Sequence, residues 1–176
     1  MRSIVFAAAP LVAVLALGGC KDQPKTQEQV KQEIAQMPKP KPGLYRSTSK
    51  LTGFEVPGMP QAQQDQFKQV FSQAQGRDFC LTKAEADKGY EAMTKKIAEG
   101  DCSYDKFEAS GSSLDAKMTC KTGQNMKATI EMKGTMSSEG SQMTMKVQQA
   151  APQQPEKTMT ITADVASQRV GDCPGS

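Results

Sequence analysis

The stretch Met126-Lys127-Ala128-Thr129-Ile130-Glu131-Met132-Lys133 decides the fold. Apolar and polar residues alternate along it, and a β-strand is the conformation that sends successive side chains to opposite faces. Met126, Ala128, Ile130, Met132 and Met136 then share one face, with Lys127, Thr129, Glu131 and Lys133 on the other. The same period of two runs through Leu114, Ala116, Met118 and Cys120, through Met143, Met145 and Val147, and through Met159, Ile161, Ala163 and Val165. One apolar face and one wet face is the pattern of an antiparallel sheet covered on one side. Ser110-Gly111-Ser112 and Ser138-Glu139-Gly140-Ser141 read as hairpin loops of three and four residues.

Upstream the period lengthens. Gly43 to Phe54 is a further extended stretch, and Asp78 to Thr82 a short one. Between them, Phe67, Val70, Phe71 and Ala74 put a helix over Gln61 to Gln75. A second helix opens on the capping box Thr82/Glu85, carries the stripe Ala86, Tyr90, Met93 and Ile97, and stops at Gly100. The expected class is α+β: mostly an antiparallel β-meander, able to curl towards an open barrel, with two short covering helices and two disulfides.

The cysteines follow from the same register. Cys80, Cys102, Cys120 and Cys173 show no C-x-x-C spacing. A three-residue loop at Ser110–Ser112 sets Ala109 opposite Ser113 and Cys102 opposite Cys120, within disulfide reach. Cys80 is then left with Cys173.

The chain begins with Arg2 and an uncharged apolar run from Ile4 to Leu17. That run is shorter than the roughly 20 residues of a spanning helix and fits the core of an export signal. It ends in Leu17-Gly18-Gly19-Cys20, which resembles the lipobox of bacterial lipoproteins. The resemblance implies that residues 1–19 are a cleaved signal peptide and that Cys20 is acylated. With Lys21 next, lipoprotein sorting in a Gram-negative cell would favour the outer membrane. An exported chain meets an oxidising compartment, which suits two disulfides.

Residues 20–42 read as a lipid-anchored polar tether. Lys39-Pro40-Lys41-Pro42 cannot be helical, since proline lacks an N–H and extends its predecessor. Val30, Ile34 and Met37 do recur at helical spacing behind Thr26 and Gln29, placed like a capping box, but the Gln, Lys and Pro content favours a solvated linker. Residues 43–173 are then a single disulfide-linked domain.

Pro42-Gly43-Leu44-Tyr45, Cys80-Leu81-Thr82, Gly100-Asp101-Cys102, Met118-Thr119-Cys120 and Gly171-Asp172-Cys173 resemble a family of small exported bacterial proteins, domain of unknown function 3617. The resemblance spans most of residues 42–173 and implies fold and compartment, with no activity to carry over. Tyr45 stands where the family often has Trp, and residues 55–77 are longer and richer in Gln than usual.

Composition narrows the function. The chain contains no histidine, so Ser-His and Cys-His catalysis and histidine metal sites are excluded. No P-loop, G-x-S-x-G or G-x-G-x-x-G occurs, and no enzyme is expected. Residues 20–42 hold five lysines against three acids, while residues 43–176 hold sixteen bases and sixteen acids. That balance lacks the basic footprint of a nucleic-acid binder.

Eleven methionines and no tryptophan are the unusual feature. A four-residue loop at Ser138–Ser141 pairs Met136 with Met143 and Met132 with Val147, with Met145 beside them. Those thioethers would suit Cu(I), or would fill an adaptable apolar core or groove. The expected function is an envelope lipoprotein facing the periplasm, a non-enzymatic binding or structural module without a resident cofactor. Its partners are the membrane, through acylated Cys20, and an undefined protein or lipid. Two alternatives stand beside it: a carrier of a hydrophobic ligand, and a Met-based Cu(I)-binding or oxidant-responsive protein.

Overall fold

Strands that alternate in sequence and are joined by short turns pair with their chain neighbours, and a computed structural model of the protein follows that rule. It describes residues 24–71, 75–90, 95, 99, 101–122, 126–151 and 154–175. The elements are α1 (Gln27–Ala35), β1 (Gly43–Glu55), α2 (Gln61–Phe71), β2 (Gln75–Leu81), α3 (Lys83–Lys88), β3 (Cys102–Ser110), β4 (Ser113–Thr122), β5 (Met126–Ser137), β6 (Gly140–Ala151) and β7 (Gln154–Gly171). All seven strands form one antiparallel sheet in the order β2-β1-β7-β6-β5-β4-β3. Strands β3 to β7 are the expected meander. The sheet is not closed: β2 and β3 are its edges.

The apolar faces fall where the alternation puts them, although both hairpin loops are shorter than expected. Ser110 pairs with Ser113 across a two-residue turn at Gly111-Ser112, where Gly111 takes φ +57°. Ser137 pairs with Gly140, so Ser138-Glu139 is the second turn. This moves the β5–β6 register by two residues: Met132 faces Met145, Gly134 faces Met143 and Met136 faces Ser141. A shift of two leaves every side chain on its expected face, whereas a shift of one would invert them all. At Gly134 a Cβ would lie 2.7 Å from Met143 Cα, so the approach of β5 to β6 admits only glycine there.

The cover of the sheet is a correction to the expectation. Residues 27–37 are not a solvated tether. Thr26 and Gln29 form the capping box, with the Thr26 N–H donating to Gln29 Oε1 at 2.9 Å. Val30, Ile34 and Met37 enter the core with Tyr104, Phe107, Leu114, Ala116, Met118, Cys120 and Met136. Val30 is 1% exposed. Removal of such side chains from water outweighs the polar composition of the remaining helical positions. Lys39-Pro40-Lys41-Pro42 is non-helical, as proline demands. It crosses the β5–β6 turn, with the Lys41 N–H donating to the Ser138 carbonyl at 2.7 Å.

The two expected covering helices do less. α2 is described as far as Phe71 and buries no residue, Ala74 lies outside the described residues, and Gln75 opens β2 instead of closing the helix. Phe67 stacks on Phe54 of β1 at 4.2 Å, yet Phe67, Val70 and Phe71 remain exposed. α3 opens on the Thr82/Glu85 capping box and stops at Gly89, whose φ is +57°. Tyr90 packs against the core; Met93, Ile97 and Gly100 lie outside the described residues. Over the middle of the sheet, Ile130, Met132, Met143, Met145, Val147, Ile161 and Val165 are half-buried.

Two disulfides cross-link the sheet. Cys102 faces Cys120 with Cα atoms 4.0 Å apart, and Cys80 joins Cys173 at 5.5 Å. The first pairing arises by a different route from the expected loop. The two-residue turn offsets β3 by one position, and a bulge between Tyr104 and Lys106 restores it.

A cleft between the N-terminal helix and the sheet edge

Because β3 is an edge, its outer N–H and C=O groups need partners, and Lys25 and α1 supply two of them. The Lys25 N–H donates to the Tyr104 carbonyl at 3.2 Å. Glu33 Oε2 accepts from the Ala109 N–H at 3.1 Å, and the other carboxylate oxygen pairs with Lys25 Nζ. The helix is thereby held along the edge with its core face inward.

The adjoining face of α1, bearing Glu28, Lys31, Gln32 and Ala35, is exposed. Between it, Tyr104 and the segment at Lys88–Tyr90 lies a cleft of ≈ 790 Å³. That volume falls within the roughly 300–1,000 Å³ of small-molecule sites. Ile34, Met37 and Tyr104, all buried, contribute the apolar wall, and the Tyr90 hydroxyl donates to the Pro38 carbonyl at 3.4 Å. Burial raises both phenols above the ordinary tyrosine value, with the neighbouring Tyr45 adding to the effect at Tyr90. Both therefore stay protonated at neutral pH.

The rim is cationic. Lys31, Lys39, Lys88 and Lys95 line the cleft, with Glu28 as the one carboxylate among its described lining residues. Lys39 Nζ donates to the Asp87 carbonyl at 3.4 Å, and Lys95 lies 3.9 Å from Glu99. Lys31 makes no ion pair among the described residues. The arrangement offers an apolar wall, neutral phenols and ammonium groups, which suits binding.

The residues singled out in the sequence lie elsewhere. Cys20 is outside the described residues. Met136 is buried, and Met132 and Met143 pack against the same core, so these thioethers serve as filling. Met145 is half-buried opposite Met132. Among the described residues no three His, Cys, Asp or Glu side chains converge as metal ligands. Likewise no described helix is long and apolar enough to cross a membrane.

Open sheet, two disulfides and a helix-walled cleft define a small α+β domain with a ligand-sized recess. Residues 40–173 match the family described as "Protein of unknown function (DUF3617)", and the chain belongs to that family. Gly43 gives one of its motifs a physical reason: at φ +147° it packs against Arg169 and Gly171, while Arg169 Nε donates to the Pro42 carbonyl at 2.9 Å. The matched range starts after α1, so one wall of the cleft comes from outside it. No curated protein and no solved structure matches the chain.

Proposed function

We propose that this chain is an exported lipoprotein of the cell envelope, anchored through acylated Cys20, whose domain is a non-enzymatic binding module for an apolar or amphiphilic small molecule. The observation that carries the binding half of this reading is the ≈ 790 Å³ cleft walled by Ile34, Met37 and Tyr104. The anchoring half rests on Leu17-Gly18-Gly19-Cys20 behind the uncharged run Ile4–Leu17. Absence of histidine from the whole sequence weighs against the commoner catalytic constellations. Attachment by several acyl chains would be effectively permanent, and Lys21 directs the anchored chain to the outer membrane, facing the periplasm.

A metabolic label tests the anchor. Cells fed an alkyne-bearing fatty acid should label the wild-type chain and leave Cys20→Ser unlabelled. Equal labelling of the two overturns the assignment of Cys20.

A further inference from the structure

We infer that the cleft takes a single-chain anionic amphiphile, an acyl chain ending in a carboxylate or phosphate group. This rests on the binding-module reading above and names its ligand class. Two independent features of the cleft meet in such a molecule. Its wall is mostly apolar, with Ile34, Met37 and Tyr104 buried beneath the surface and Tyr90 half-buried. Among its described lining residues, its rim carries Lys31, Lys39, Lys88 and Lys95 against Glu28, with Lys95 also 3.9 Å from Glu99.

The neighbouring charges sharpen the case. On the outer face of β3, β4 and β5, Lys106 and Lys133 both reach Asp115 and Lys117 reaches Glu131, while Lys121 and Lys127 face each other with no ion pair among the described residues. Among the described residues Lys31 makes no ion pair, and Lys39 donates to the Asp87 main-chain carbonyl. Ammonium groups on flexible stems at the mouth of an apolar recess can follow an anionic headgroup while their methylenes lie along its chain. A neutral alkane would leave them unused, and a free inorganic anion would leave the apolar wall wet. The anchor adds proximity. Six residues lie between Cys20 and Gln27, a reach of at most about 25 Å, so the mouth would stay close to the lipid that supplies such molecules.

The test is native mass spectrometry and fluorescence titration of the exported chain carrying Cys20→Ser, below micelle-forming concentrations. The probes are lysophosphatidylglycerol and lysophosphatidylcholine of equal chain length, which differ in net charge. The inference predicts one bound lysophosphatidylglycerol, affinity that weakens with salt, and a loss of roughly tenfold or more in the charge reversal Lys31→Glu/Lys88→Glu. Lys31→Arg/Lys88→Arg should retain binding. These side chains are exposed, and an unchanged thermal melt shows that each variant is folded. Equal, salt-independent binding of both lipids, indifferent to the reversal, overturns the anionic assignment and leaves a neutral apolar site. Binding of neither lipid overturns the module reading together with it.

Discussion

The Glu33 carboxylate on α1 accepts the main-chain N–H of Ala109 on β3, at 3.1 Å. The bond joins a helix that precedes the family-matched range to the outermost strand of the sheet. It satisfies one outward-facing donor of an edge strand and fixes the face that α1 turns towards the cleft. Replacement of Glu33 by alanine should therefore expose the Ala109 amide. The expected cost is about 1–2 kcal/mol, and hydrogen exchange at Ala109 should quicken more than at the centre of β6. Unchanged exchange at Ala109 would show that the bond does not hold the helix.

Burial of Val30, Ile34 and Met37 makes α1 part of the folding unit. Ile34→Ala should cost about 2–5 kcal/mol in urea unfolding, the range for emptying a core position. A solvated linker would tolerate the same change within about 0.5 kcal/mol. Exposed Val70 on α2 provides the internal comparison, since Val70→Ala should lie near that lower figure.

The disulfides should rank by the loop each closes. Cys102 and Cys120 are 18 residues apart, Cys80 and Cys173 are 93 apart. Chain entropy gives about 3 kcal/mol for the shorter loop and about 4–5 kcal/mol for the longer. Paired Cys→Ala replacements, unfolded in denaturant, check the order, and peptide mapping without reduction checks the connectivity. A Cys80–Cys102 peptide would contradict it.

Asp115 gives the sheet a pH dependence. Burial alone would raise its carboxyl, but hydrogen bonds from Lys106 and Lys133 and their charges outweigh burial and hold it below the ordinary aspartate value. A carboxyl depressed in the folded state stabilises above its unfolded value, near 3.9, and loses that contribution as pH falls through the lower folded value. Asp115→Asn should therefore melt lower than wild type at pH 7, and the gap should close as pH falls through the depressed folded value. A gap that persists undiminished in acid would rule out the ionised pair as its source.

The sheet was legible because alternation is local. Leu114, Ala116, Met118 and Cys120 announce their face without reference to anything distant, and errors of two residues in loop length leave that face intact. The Cys102–Cys120 opposition came out as expected although the bulge next to Tyr104 has no evident sequence signal. α1 was harder. Its spacing and capping box were visible, but Gln27, Gln29, Lys31 and Gln32 dilute the three residues that matter, and what they pack against is more than 60 positions away. In α2 the reverse held: Phe67 and Phe71 read as a core stripe, yet both stay exposed, with Phe67 stacked on Phe54. The cleft was not legible, since Lys31, Lys39, Lys88 and Lys95 come from two separate segments and each looks like ordinary surface charge.

Native mass spectrometry of the protein taken from membranes, before and after reduction, tests the central claim most directly. The account predicts a chain starting at acylated Cys20, two disulfides, and an additional mass of one anionic single-chain lipid that is lost when Lys31 and Lys88 are reversed to glutamate. A chain without acylation at Cys20 and without a companion mass would contradict it.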